Sequence, residues 1–276
     1  VDGYEHTLDN ARPVPWRLTA ALVTAATLAL AGVAALLVVP ASRPGAVLSA
    51  VRAAGLPVAL PIAVPVDLAA PFAATPAAAW PDGVDGLRLP AATPVGDFSA
   101  AEVAAAAEQV RQLTAALNVD REVIEQRRFD RFLGLLSPSA REIAEPSVLA
   151  RTENFPPYLA VVADGYRLLP AGPKTDGTMS VGPGTSRAEL SVRVDLRVAY
   201  AFDPAGAKVF DPAELIVLRT FQLDFVVRRS PPFKATTAGI HVVGGQAFLE
   251  GAACRYARVN LIAPLFADRS QDACTT

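Results

Sequence analysis

The chain has 276 residues, 52% of them apolar before glycine is counted and only 19% charged. Ordinary soluble domains run about 45–50% apolar with glycine included and about 25% charged, so part of this chain is built to leave water. The length excludes a large polytopic transporter, and a net charge of -2 without a basic stripe removes nucleic acid from the expected partners. The two histidines and two cysteines, His6, His241, Cys254 and Cys274, lack the short paired spacings of a structural Cys2His2 zinc site, and no cofactor is expected.

From Leu18 to Val39 no residue is charged, and the run is closed by Pro40 and flanked by Arg17 and Arg43. At about 1.5 Å rise per residue it spans roughly the 30 Å hydrocarbon core, so one transmembrane helix is expected. The alternative is a cleaved signal peptide, whose apolar region is about 7–15 residues long and ends at a small-residue site. The run exceeds that length, although Val39-Pro40-Ala41-Ser42 offers small residues. Trp16 beside Arg17 suits the headgroup level, and Ala25, Ala29 and Gly32 would let another helix approach closely. Arg12 and Arg17 precede the span while Arg43 and Arg52 follow it, so the positive-inside rule is nearly silent. The orientation rests on Cys254 and Cys274, both distal to the span. Disulfides persist in oxidising compartments, which places the bulk of the chain outside the cell membrane; the alternative is two unrelated thiols.

Residues 40–97 hold ten of the 24 prolines. Proline fixes φ and removes a backbone donor, so the Pro57, Pro61 and Pro65 spacing forbids a second spanning helix. The expected state is a semi-rigid Pro/Ala-rich stalk. Its apolar side chains, Phe72 among them, are more than a linker needs, so part of it is expected along the membrane or along the domain. The expected divisions are a cytoplasmic N-terminus (1–16), the transmembrane helix (17–40), the stalk (41–97), an extracytoplasmic α+β domain (98–262) and a C-terminal tail (263–276).

Ser99-Ala-Ala-Glu102 is a capping box, after which Val103, Ala107, Val110, Leu113 and Leu117 recur at helical spacing. A second helical segment is expected over Asp120 to Leu136. A third starts at Ser137-Pro138 and falters by Pro146. The period then falls to two. Leu190, Val192, Val194, Leu196, Val198, Tyr200 and Phe202 alternate with polar residues, and Phe221, Leu223, Phe225 and Val227 do the same within Leu215 to Arg228. These predict two long antiparallel strands joined through Asp203-Pro204-Ala205-Gly206 and Asp211-Pro212. Weaker strands are expected at Tyr158 to Leu169, Thr178 to Val181, Ile240 to Phe248 and Cys254 to Leu261. Helices first and strands after give an α+β fold, with helices on one face of a curved antiparallel sheet.

The stretch LTAALNVDREVIEQRRFDRFLGLLSPSAR, a helix pair with a leucine-rich stop and a Ser-Pro step before long strands, resembles the opening of the nuclear transport factor 2-like fold, also called ketosteroid-isomerase-like or cystatin-like. The whole chain also resembles single-pass membrane proteins of high-GC actinobacteria, arginine outnumbering lysine 22 to 3. The resemblance covers about residues 98–262. Domains of that fold serve as isomerases and as non-catalytic envelope or secretion components, so the resemblance implies two functional classes.

Isomerase chemistry requires a carboxylate base and an acidic donor in an apolar cone. Asp164, Tyr166, Tyr200, Asp224 and His241 are the available types, but no spacing matches a family motif, and no catalytic residue is assigned. No nucleophile elbow precedes a helix. Gly182-Pro183-Gly184 and Gly244-Gly245 continue as neither a P-loop nor a dinucleotide fingerprint and are expected as turns. Arg127-Arg128 and Arg228-Arg229 read as solvated pairs or as a grip on anionic polymers.

Arg193, Asp195, Arg197 and Asp224 share one sheet face with mixed sign, which is expected either to pair across strands or to form an interface. The favoured class is a membrane-anchored module whose sheet face binds a second copy or an envelope or secretion partner. The other is a small-ligand site in the cone; a filled cone favours the first and an open one the second. On the topology, protease added to intact cells stripped of their wall is expected to digest the distal domain and spare the N-terminal residues. Protection of that domain overturns the orientation.

Overall fold

The computed structural model describes residues 66–268. The expected transmembrane helix and Cys274 lie outside the described residues. No helix within them is long and apolar enough to cross a membrane.

The first long helix, α1 (Ala100–Asn118), starts where the capping box places it. Ser99 N–H donates to Glu102 Oε2 at 2.8 Å, and Glu102 N–H donates to Ser99 Oγ at 3.3 Å. These backbone and side-chain bonds from Ser99 hold the Glu102 carboxyl below the usual range. The expected stripe of Val103, Ala107, Val110, Leu113 and Leu117 is buried. The next segment is two short helical turns, α2 (Arg121–Ile124) and α3 (Asp130–Leu133). Arg127 has a φ of 57°, a left-handed conformation that no α-helix contains. It breaks the single helix expected there and turns Phe129 and Phe132 inward, edge to face with centroids 6.0 Å apart. The third helix, α4 (Pro138–Leu149), runs through Pro146 to Leu149. Its cap is Ser137 Oγ, which accepts from Ala140 N–H at 3.2 Å.

Five strands follow the order β1 (Leu87–Arg88), β2 (Lys174–Pro183), β3 (Glu189–Ala201), β4 (Ile216–Arg228), β5 (Gly239–Glu250). β2 to β5 are antiparallel neighbours, and β1 joins β2 in parallel. The fold is therefore α+β, but the sheet is mixed. Leu190, Val192, Val194, Leu196, Val198 and Tyr200 of β3, with Val217, Phe221, Leu223, Phe225 and Val227 of β4, form one buried face against the helices.

Two weaker expectations are corrected. Residues 158–169 make only isolated bridges, Val162 to Ile262 and Leu168 to Phe202. Cys254 opens a one-turn helix, α5 (Cys254–Ala257), in place of a strand. Within the span expected as a stalk, the described residues from 66 onward lie along the domain, one of the two places expected for its surplus apolar side chains. Phe72 and Ala77 pack with Leu169, Ala199 and Ala201, and Leu87 is buried in the main core. Proline there forbids helix but not burial. Gly86 makes the close approach feasible, because a Cβ on it would meet Thr175 O at 1.8 Å. Gly86 N–H donates to Thr175 Oγ1 at 3.1 Å, and that hydroxyl donates to Gly83 O at 2.6 Å.

Tyr200 ties sheet to helix. Fully buried, its hydroxyl donates to Asn118 O at 2.7 Å, at the end of α1. Burial raises its phenol pKa above the ordinary value of about 10. The bond is thus fully stabilising below about pH 10 and is lost as pH rises toward the raised native value. Tyr200→Phe is expected to cost about 1 kcal/mol at neutral pH. The gap between the two proteins should narrow above about pH 10, as measured by denaturant unfolding across pH.

Candidate functional site

The two sheet faces differ in kind. On the helix side, Tyr200, Phe132, Phe155, Leu113 and Leu117 have no solvent exposure, so the space between helices and sheet is filled around them. The five residue types weighed for such chemistry do not converge. Tyr200 is inside and committed to Asn118. Asp164 is exposed and pairs with Arg127 at 2.9 Å. Tyr166 stacks edge to face on Tyr256. Asp224 lies on the opposite face of the sheet. His241 Nε2 stands 2.9 Å from Thr237 O and 3.0 Å from Ser137 Oγ. That Ser-His contact belongs to a helix cap: Ser137 is 2% exposed and its oxygen serves Ala140 N–H.

The paired arginines are already engaged. Arg127 meets Asp164, Arg128 meets Glu122 at 3.5 Å, Arg228 meets Glu189 at 2.7 Å and Arg229 meets Glu102 at 3.5 Å. Gly182 and Pro183 end β2, and Gly184 N–H closes the turn to β3 by donating to Glu189 O. Gly244 and Gly245, expected as a turn, lie inside β5 beside a bulge opposite Asp224 and Phe225.

The outer face assembles the residues expected of an interface. Arg193 and Asp224 are register partners, and Arg193 Nε donates to Asp224 Oδ1 at 2.7 Å. Asp224 thereby raises the Arg193 pKa. Arg197 faces Asp176 of β2 and bonds it, and Asp176 also accepts from Arg88 at 2.8 Å. Hydrogen bonds from Arg88 and then Arg197 hold the Asp176 carboxyl below its usual range. The Arg197 guanidinium lies 4.8 Å from the Trp80 ring centre, a cation–π contact that orients it. Asp195, opposite Thr178 and Gln222, carries no ion pair among the described residues. A shallow depression of about 360 Å³ lies at this place, bordered by Arg88, Asp195, Arg197, Gln222 and Phe248. Phe248 is 62% exposed.

Cross-strand pairing and an open apolar spot therefore coexist on one face. Periodicity reveals the charges but not Phe248. In β5, Val242 pairs with Phe225 and Gly244 with Asp224, so Val243 is extra. One inserted residue inverts every later side chain, and only the bulge position tells which face Phe248 takes. Cys254 is buried and holds no free thiol, while Cys274 lies outside the described residues. Comparison with known protein families, curated proteins and solved structures returns no match to this chain.

At one end of the face Glu189, 2% exposed, accepts from Arg228 Nε at 2.7 Å and from Thr185 N–H and Oγ1 at 2.9 and 2.8 Å. Burial is the largest single influence and raises its pKa, but the bonds from Arg228 and Thr185 together outweigh it, leaving a net depression. Its contribution is present above the unfolded value of about 4.3 and is lost as pH falls through the lower native value. Glu189→Gln is expected to cost about 1–2 kcal/mol at pH 7. Urea unfolding at pH 7 and near pH 3 should show that cost shrinking in acid.

Proposed function

We propose that the chain is a non-catalytic binding or assembly module of the cell envelope, with a nuclear transport factor 2-like domain held outside the cell membrane by a helix at residues 17–40. The outer sheet face mates with a second copy, or with an envelope or secretion protein. The observation that carries this reading is the unpaired Asp195 beside the exposed Phe248, in a depression whose other bordering charges, Arg88, Asp176 and Arg197, are paired with one another. Arg88, Arg193 and Arg197 balance Asp176, Asp195 and Asp224, so two such faces related by a two-fold axis are self-complementary, as isologous contacts require. The filled inner face supports the same reading, because it leaves the outer face as the larger recognition surface. Pairing of Cys254 with Cys274 belongs to it too. That loop of about 20 residues would stabilise the domain by roughly 3 kcal/mol in the chain-entropy model.

The full chain in detergent is expected to sediment as a dimer. Asp195→Arg should weaken that dimer by about tenfold or more, since it sets like charges together at the centre of the contact. A chain that stays monomeric at high micromolar concentration assigns the face to solvent or to a different partner.

A further inference from the structure

Arg219 occupies the inner face of β4, between Val217 and Phe221, where the alternation calls for an apolar residue. It is 4% exposed. Its Nη2 donates to Pro157 O at 2.5 Å, and its guanidinium carbon lies 5.5 Å from the Phe221 ring centre. Its Nε has no hydrogen-bond partner, and among the described residues no carboxylate stands within ion-pair distance of it. Tyr200, whose charge interaction with it is favourable only in the phenolate form, keeps its proton and donates its hydroxyl hydrogen bond to Asn118 O. Burial lowers the guanidinium pKa, yet an arginine starts so far above neutrality that it keeps its charge. A buried cation with one neutral acceptor and no counter-ion is an expensive arrangement, and natural structures pair such charges.

Arg219 also borders a cavity of about 210 Å³ between β5 and α5, whose other lining residues are Pro157, Ala247, Phe248, Leu249, Ala257 and Asn260. The lining contains no acid. The Pro157 carbonyl is taken by Arg219, and Asn260 Nδ2 donates to Phe155 O at 3.0 Å. The rest is apolar.

We infer that this cavity binds a small organic carboxylate with a short apolar body, its carboxylate supplying the counter-ion that Arg219 lacks. The volume is below the roughly 300–1,000 Å³ of drug-sized sites, which limits the ligand to a few heavy atoms. A monoanion matches one guanidinium, whereas phosphate would bring more charge than a single cation in an apolar cavity neutralises. The planar fork favours a carboxylate, which it can meet with two parallel bonds. The inference does not rest on the interface reading, because it is carried by Arg219 on the inner face, and only Phe248 borders both places.

Titration of the full chain with butyrate, butanol and inorganic phosphate at matched ionic strength tests it. Butyrate is expected to raise the melting temperature saturably and to shift the amide resonances of Leu249, Ala257 and Asn260. Butanol and phosphate should do neither. Arg219→Lys keeps the charge without the fork and should weaken butyrate binding by about tenfold; Arg219→Met should abolish it. Should the methionine variant fail to fold, Ala257→Leu decides, since it fills the cavity and leaves Arg219 in place, and it should also abolish binding. No saturable response to butyrate in the native chain, an equal response to butanol, or a response undiminished in Ala257→Leu overturns the inference.

Discussion

The pairing of β3 with β4 over thirteen residues each, from Glu189 opposite Arg228 to Ala201 opposite Ile216, is the constraint on which the other features depend. Because side chains alternate, one register fixes two faces at once. Val192, Val194 and Leu196 come to lie beside Phe225, Leu223 and Phe221 under the helices. By the same register, Arg193 falls opposite Asp224 on the other side. A slip of one residue would bury Arg193 and Asp195 and expose the valines. The apolar pairs therefore specify the polar ones, and the ion pairs on the outer face follow from a register that burial enforces.

The sheet's edges show how the rest of the chain is organised around this pair. β1 covers β2 over only Leu87 and Arg88, and its approach relies on Gly86 and on the Thr175 hydroxyl. On the far side, Ser137 N–H donates to Ile240 O at 2.9 Å and guards the start of β5. The bulge later in β5 twists and interrupts the edge, a device that discourages open-ended strand pairing. One end of the outer face is capped by Phe72 and Ala77 over Ala199 and Ala201, with Trp80 against them. What stays open is the middle, and the candidate interface is confined to it.

Inside, the polar atoms without hydrogen-bond partners include Thr114 Oγ1 and Asn118 Oδ1 on α1 and Arg219 Nε on β4. Each replaces an apolar side chain that the alternation or the helical stripe would otherwise supply. Buried polar groups of this kind are costly when unsatisfied. Thr175 and Glu189, also buried, are by contrast hydrogen-bonded. The Tyr200 to Asn118 bond shows the opposite case, a buried polar pair that locks the end of α1 to β3.

Neighbours along the chain settle the Ser99 capping box, the buried stripe of α1, the long alternation of β3 and β4, and so the charged face of Arg193, Asp195, Arg197 and Asp224. These are legible because helical and strand periods are local consequences of backbone geometry. Tertiary folding settles the rest. It broke the second helix at Arg127, whose left-handed backbone follows no periodicity. It carried the proline-rich chain from residue 66 onto the sheet, because Phe72 finds its buried partners in the distant Leu169 and Ala199 and Leu87 pairs with Gly177 of β2. It set Phe248 on the outer face through one extra residue in β5, and it left Arg219 beside a cavity without a counter-ion. In each of these cases the deciding contact lies between segments distant in sequence, where no local pattern carries the information.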